Sequence, residues 1–192
     1  ARPRSNHPYD PLAPVPAWLV LRLDAAMLGL AALARLAPAW PDLRLVVAGD
    51  GPERASLEKQ AIDLRLQSRV YFIGAQTSEQ LARLLRQHQI LVVPSRWREP
   101  FGIVALEGIA SGCVLVGSAE GGLAEAIGPC GLTFPNGDAQ ALAHALSRLR
   151  TSFGPEYDRA RQEHPDQRST ERALEELRAA AASAWPTCAG PW

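Results

Sequence analysis

The chain has 192 residues and equal numbers of basic and acidic side chains, 20 Lys+Arg against 20 Asp+Glu, so its formal net charge is zero. With 47% hydrophobic and 21% charged residues it has the composition of an ordinary globular protein, which excludes collagen and extensive disorder. The balanced charge argues against a nucleic-acid platform, so no nucleic-acid partner is expected.

Location and metal content are predicted from what the sequence lacks. No apolar run approaches the roughly 18–20 residues that a membrane span requires, and the first residues lack a signal-peptide pattern. Cys113, Cys130 and Cys188 are widely spaced and odd in number, and the four histidines lack metal-ligand spacing. We therefore expect a cytoplasmic protein, free or peripheral to the membrane, with no transmembrane segment, disulfide framework or metal.

Short apolar runs alternate with helical patterns along most of the chain. Residues 1–16 carry five prolines and are predicted to form a linker or irregular arm. The predicted elements that follow are, in chain order, a strand over 18–23, a helix over 25–37, a strand over 43–48, a helix over 53–66, a strand over 70–73, a helix over 78–86, a strand over 90–93, a helix over 103–110, a strand over 114–117, a helix over 123–127, a strand over 131–134 and a helix over 138–149.

This alternation predicts the fold class. Strands that alternate with helices form right-handed parallel β-α-β units, so we expect an α/β, doubly wound parallel sheet of Rossmann-like type over residues 17–150. Residues 151–192 differ in composition and are predicted to form a helical, divergent tail. A ligand is expected at the carboxyl ends of the strands, on the loops that lead into helices.

The stretch 94–107 is the most informative of these loops, because it joins a predicted strand to a predicted helix. The first amides of that helix, at Gly102, Ile103 and Val104, have no partner within the helix and can donate to an anion. Gly102 is expected to let a ligand approach closely. The sequence therefore predicts an anion-binding turn here.

Two glutamates, Glu99 and Glu107, flank this turn eight positions apart. A carboxylate accepts hydrogen bonds from two adjacent hydroxyl groups, which suits a ribose or a hexose. The alternative is that the glutamates pair with Arg96 and Arg98 or face solvent.

A second glycine-rich turn begins at Gly49. Gly49 and Gly51 resemble the start of a dinucleotide fingerprint, but Arg54 stands where the third glycine is required. The alternative is a structural turn with Pro52 in the first position of the helix. The glycine pair 121–122 is open to the same two interpretations, contact with a ligand or the shaping of a helix start.

The sequence S-R-W-R-E-P-F-G-I-V-A-L-E over 95–107 resembles the E-x7-E signature of retaining glycosyltransferases of the GT-B fold, family 4. Segments on both sides resemble further parts of the same domain, in the same order: 45–53, 70–74, 121–125 and 131–135. The resemblance implies the C-terminal, donor-binding domain of an enzyme that transfers a hexosyl group in carbohydrate or cell-envelope biosynthesis.

The resemblance also implies roles for individual residues. Glu107 matches the carboxylate that holds the ribose diol, and Glu99 matches the catalytic carboxylate beside the donor sugar. The turn that meets the sugar and diphosphate is matched by four consecutive residues, Phe101, Gly102, Ile103 and Val104. Ile73 and Gly74 match the segment that lies along the base. The implied ligand is a UDP-, ADP- or GDP-sugar, with no metal or other cofactor.

The sequence departs from the family pattern after the first strand, where a basic pair normally neutralises the diphosphate. Arg22 supplies one cation, but Met27 stands at the lysine spacing and Asp24 adds a negative charge. Losing one such interaction costs about 3–4 kcal/mol of transition-state stabilisation in comparable sites. Arg96 or Arg98 could compensate.

A GT-B enzyme has two lobes, and this chain matches only the C-terminal one. The expected partner is therefore an N-terminal acceptor lobe, and the chain alone is expected to bind donor without transferring it. Two alternatives remain open: a non-catalytic remnant or interaction module that keeps the fold, and, less favoured, an enzyme of the related GT-B epimerase or phosphorylase type.

Overall fold

The structure, a computed structural model, describes residues 18–22, 26–95, 98 and 100–163. Twelve main elements follow one another in strict alternation: β1 (Trp18–Arg22), α1 (Ala26–Leu36), β2 (Arg44–Ala48), α2 (Arg54–Asp63), β3 (Val70–Gly74), α3 (Ser78–Arg86), β4 (Ile90–Val93), α4 (Ile103–Ala110), β5 (Val114–Ser118), α5 (Gly122–Ile127), β6 (Gly131–Phe134) and α6 (Ala139–Glu163). All six predicted strands and all six predicted helices are confirmed as elements. The predicted linker over 1–16 and the tail beyond 163 lie outside the described residues.

The six strands form one parallel sheet in the order β3-β2-β1-β4-β5-β6. This confirms the doubly wound α/β fold. The chain leaves β1 for β2 and β3 on one side, then returns to place β4 on the other side of β1. The strand order therefore reverses between β1 and β4, and the carboxyl ends of these two strands are where such sheets bind ligands.

Side chains alternate along the strands and fill two apolar layers, one on each face of the sheet. On β2, Leu45 and Val47 pack with α1, α2 and α6, whereas Val46 and Ala48 pack with α3, α4 and α5. Burial on both faces is why the strands have short, continuous apolar sequences. The sheet is thus covered on both faces and carries its loops at its two ends.

Two helices differ from their predicted lengths by more than two residues. The helix predicted over 53–66 ends at Asp63, because Arg65 adopts a left-handed conformation with φ 58°. The helix predicted over 138–149 instead runs on to Glu163, through Gly154 and Pro155, a pair that ordinarily marks a break. The Asp138 carboxylate accepts from the amides of Gln140 and Ala141, both at 2.9 Å, and so caps the start of α6.

The two cysteines in the described part of the chain differ in state. Cys113 is free and buried, and its thiol lies 3.2 Å from the carbonyl oxygen of Leu85. Cys130 is disulfide-bonded, which the cysteine spacing did not indicate. Among the described residues, no helix combines the length and the apolar character needed to cross a membrane.

Candidate anion-binding site at the carboxyl end of the sheet

The loop between β4 and α4 is held at its start by a buried hydroxyl group. Ser118, the last residue of β5, is 0% exposed, and its hydroxyl donates to the carbonyl oxygen of Ser95 at 2.7 Å. This bond ties the beginning of the loop to the neighbouring strand. Sequence reasoning missed Ser118, since a serine that ends a strand carries no signal of its partner.

The end of the same loop is packed against the start of α5. A side chain at Gly122 would overlap the carbonyl oxygen of Pro100, so only glycine leaves room for the loop. A Cβ atom at Gly102 would lie 2.9 Å from Cβ of Ala126 and 3.0 Å from Cα of Leu123. The two glycines let α5 and the loop approach each other, which favours the structural interpretation of the glycine pair 121–122.

Gly102 also begins α4 in a conformation that few other residues adopt. Its φ and ψ of 62° and 34° are left-handed, and it is buried. The side of Gly102 on which a Cβ atom would lie faces Leu123 and Ala126 of α5. The expectation that this glycine lets a ligand approach closely stays a prediction.

The turn leaves backbone donors free at the start of α4. The Gly102 carbonyl oxygen accepts from the amides of Ala105 at 2.8 Å and Leu106 at 3.3 Å, which closes the first helical turn. The amides of Gly102, Ile103 and Val104 donate to no acceptor among the described residues. Together with the positive end of the helix dipole, these donors form an arrangement that can bind an anion.

Glu107 lies one turn further along α4, on the exposed face that it shares with Ile103. Its carboxylate forms no ion pair with any residue that the structure describes, including the exposed Arg98. Pairing with Arg98, one of the alternatives open from the sequence, is absent. Glu99 and Arg96 lie outside the described residues, so the predicted catalytic carboxylate has no structural description.

Exposed apolar side chains flank the free amides. Phe101 is 74% exposed and Ile103 is 63% exposed, and Leu106 on the next turn is also exposed. A group of neighbouring exposed apolar side chains, unlike single scattered ones, is typical of a surface that meets a ligand or another protein. The turn thus combines an anion-binding arrangement with an apolar rim.

The second glycine-rich turn, between β2 and α2, is closed by its own hydrogen bonds. The amide of Gly49 donates to Gly74 at 2.8 Å, that of Gly51 to the Asp50 carboxylate at 3.0 Å, and that of Arg54 to Gly51 at 3.1 Å. The structural-turn alternative is therefore favoured over phosphate binding. Pro52 precedes α2 instead of opening it, since the helix begins at Arg54.

Ile73 and Gly74, predicted to lie along a base, form an irregular end of β3. Val47 pairs with Phe72 but Ala48 pairs with Gly74, so Ile73 is an extra residue in the ladder. Gly74 has φ 76°.

The side chain of Gln76 fixes the backbone that follows β3. Its amide nitrogen donates to the carbonyl oxygens of Ile73, Gly74 and Ala75, at 3.0, 3.4 and 3.1 Å. Sequence reasoning missed Gln76, because nothing in its neighbours indicates this fold-back.

The predicted cation Arg22 is the last residue of β1, with its backbone opposite Ala48. Met27 lies in the first turn of α1 and is 50% exposed, an uncharged side chain at the position where a lysine was expected. Asp24 lies outside the described residues. The predicted site residues Arg22, Ile73, Gly74 and Gly102 all lie at the carboxyl end of the sheet.

In the described part of the chain, no three His, Cys, Asp or Glu side chains gather closely enough to hold a metal ion.

These features define an α/β lobe of Rossmann-like type with an anion-binding turn where the strand order reverses. The chain belongs to the glycosyl transferases group 1 family, whose family model matches residues 27–164.

Curated relatives share a sizeable part of this sequence. The D-inositol 3-phosphate glycosyltransferase of Mycobacteroides abscessus is 36% identical over 140 residues, which is 69% of this chain and 31% of that protein. The glycogen synthase of Mycobacterium tuberculosis is 39% identical over 119 residues, which is 61% of this chain and 28% of that protein. The chain thus spans about a third of the length of these relatives.

Solved structures agree on the fold. The C-terminal domain of a glycosyl transferase group 1 family protein from Francisella tularensis has a TM-score of 0.64 and 24% identity, covering 72% of this chain and 77% of that chain. HepE from Anabaena, solved in complex with UDP-glucose, has a TM-score of 0.62 and 21% identity, covering 90% and 45%. The described lobe accordingly has the Rossmann-like fold of the C-terminal lobe of GT-B glycosyltransferases.

Proposed function

We propose that this chain is the donor-binding lobe of a retaining glycosyltransferase of family 4, which takes a hexosyl group from a UDP-, ADP- or GDP-sugar. The observation that carries the proposal is the set of free amides at the start of α4, at the point where the strand order reverses. Membership of the glycosyl transferases group 1 family supports it, as does the UDP-glucose complex of the structurally similar HepE.

In this proposal, the turn receives the charged part of the donor. The amides of Gly102, Ile103 and Val104 donate to the sugar and diphosphate oxygens, and the helix dipole adds a favourable field. Ser118 and Gly122 hold the turn in place before the donor arrives. Preorganised donors of this kind stabilise the charge that develops when a diphosphate departs.

The two glutamates of the signature have separate roles. Glu107 accepts hydrogen bonds from the two ribose hydroxyls. Its carboxylate is exposed and forms no ion pair with a described residue, which supports this role. Glu99 is the carboxylate beside the transferred sugar, as the signature implies, and Phe101 borders that sugar from the loop. Arg22 contributes positive charge to the diphosphate, and no metal is required.

The remaining parts of the proposal concern the base and the acceptor. The base lies along Ile73 and Gly74, at the end of β3. The acceptor is bound by an N-terminal lobe outside this chain. The acceptor enters from the face on which the diphosphate leaves, so the sugar keeps its anomeric configuration.

Calorimetric titration with UDP, ADP and GDP and their glucose and mannose conjugates tests this function. Wild-type protein should bind one base saturably, and Glu107→Ala should weaken that binding about tenfold to a hundredfold, since hydrogen bonds to a charged group are worth about 1.5–3 kcal/mol. Glu79→Ala is the matched control, because Glu79 is exposed on α3 and pairs with Arg83. Equal affinities of Glu107→Ala and wild type would contradict the proposal.

The second candidate function is a non-catalytic lobe that keeps the fold alone. Met27 favours it, since an exposed uncharged side chain stands where the family places a phosphate-binding lysine. The same titration separates the two candidates. A folded wild-type protein that binds no nucleotide at millimolar concentration supports the non-catalytic lobe.

A further inference from the structure

We propose that Arg54 is a positioning residue that holds the end of β3 in the shape that receives the base. This role rests on the function proposed above. Arg54 is the residue that breaks the dinucleotide fingerprint, because it stands where the third glycine is required.

The Arg54 side chain spans the gap between the start of α2 and the end of β3. Its Nε donates to the Glu58 carboxylate at 2.9 Å, and its Nη2 donates to the carbonyl oxygen of Phe72 at 3.2 Å. Its Nη1 lies 3.8 Å from the Asp50 carboxylate. The side chain is only 32% exposed, so these contacts form partly away from solvent.

The end of β3 needs such a support. β3 is one of the two edge strands of the described sheet, so it pairs with β2 alone among the described strands. The bulge at Ile73 interrupts its pairing with β2 directly after Phe72. A Cβ atom on Gly74 would lie 3.6 Å from Nη1 of Arg54, which places the guanidinium against the backbone of this irregular end.

The same contacts join β3 to the closed turn that precedes α2. Asp50 accepts from the Gly51 amide with one carboxylate oxygen and faces Arg54 with the other. The Gly49 amide donates to Gly74 at 2.8 Å. The turn and the strand end are therefore linked both through the backbone and through the guanidinium.

The negative charges around Arg54 indicate that its guanidinium supports the end of β3 and does not bind phosphate. Two carboxylates, Asp50 and Glu58, face the one guanidinium. Arg54 therefore does not replace the cation that is missing at Met27. Only the planar guanidinium, with five donors in a fixed arrangement, can serve these acceptors at once, whereas a lysine ammonium is a compact point charge on a flexible chain.

The test combines binding with amide hydrogen exchange over residues 70–76, for wild type, Arg54→Met, Arg54→Lys and the control Arg83→Met. Arg83 is exposed, and Glu79 is its ion-pair partner among the described residues, so its removal should change neither measurement. Arg54→Met should speed exchange at 73–75 about tenfold, since local openings governed by few contacts respond directly to their loss. The exchange rate of Arg54→Lys at these residues should fall between those of Arg54→Met and wild type.

The binding measurement compares nucleoside diphosphates with inorganic pyrophosphate. Arg54→Met should bind the preferred nucleoside diphosphate about five- to twentyfold more weakly while its pyrophosphate affinity stays within about twofold, because only the base meets β3. An equal loss for both ligands would show general loosening and overturn the positioning role. If amide exchange at 73–75 is the same in Arg54→Met as in wild type, Arg54 does not support the end of β3. Wild-type protein that binds none of these nucleotides would overturn the proposed function, and with it the role toward the base.

Discussion

Two glycine-rich turns lie at the same end of the sheet, and they differ in what their backbone donors do. In the turn that begins at Gly49, the amides of Gly49, Gly51 and Arg54 all donate within the protein. In the turn that ends at Gly102, the first amides of α4 have no acceptor among the described residues. Glycine content is similar in the two turns, but the amides of their glycines differ: Gly49 and Gly51 donate within the protein, whereas Gly102 has no acceptor among the described residues.

The two turns are also held by different means. The closed turn is held by its own backbone, by Asp50 and by Arg54. The open turn is held from outside, by the Ser118 hydroxyl at its start and by the packing of α5 at its end. Support from neighbouring elements leaves the amides of the open turn free for a ligand.

The largest expected effect comes from crowding the open turn. Gly102→Ala adds a Cβ atom to a left-handed residue, 2.9 Å from Ala126, and should cost about 2–5 kcal/mol of unfolding free energy, which combines left-handed strain with overpacking. Gly112→Ala is the matched control, since φ there is 83° and nothing lies within 4 Å of the added atom. That control should lose only about 1–2 kcal/mol. Urea unfolding measures both, and equal losses would contradict the packing of α5 against the turn.

A smaller effect is expected from the hydroxyl that ties down the open turn. Ser118→Ala removes a buried hydrogen bond and should cost about 1–1.5 kcal/mol, with weaker nucleotide binding. Ser56→Ala at the closed turn is the matched control, because its hydroxyl also donates to a carbonyl oxygen, that of Glu53, at 2.7 Å but is exposed. It should change stability by less than about 0.5 kcal/mol and leave binding unchanged. Urea unfolding and calorimetry compare the pair, and a control that weakens binding as much as Ser118→Ala would remove the distinction between the turns.

The sequence predicts the elements of this lobe well, because buried parallel strands and their crossover helices have clear apolar patterns. It also predicts the free amides at Gly102, Ile103 and Val104, since the first amides of a helix have no acceptor within that helix. It does not predict contacts between distant segments. The bond from Ser118 to Ser95 and the contact of Arg54 with Phe72 span 23 and 18 residues and depend on the folded sheet.

Local rules also fail where tertiary packing overrides them. Gly154 and Pro155 lie inside α6 although such a pair ordinarily ends a helix. Gly102 and Gly122 belong to a residue type that is common in turns. Here glycine is required because atoms of the loop and of α5 leave no space for a larger side chain. The role of a glycine thus depends on its tertiary contacts, which the sequence alone does not show.

The turn at Gly102, and not the turn at Gly49, is expected to receive the anionic ligand. Amide chemical shifts followed by nuclear magnetic resonance during titration with UDP, ADP and GDP test it most directly. Saturable shifts are expected at Gly102, Ile103 and Val104, with the amides of Gly51 and Arg54 nearly unchanged. Shifts confined to Gly51 and Arg54, or no shift at any of these amides with millimolar nucleotide, would contradict it.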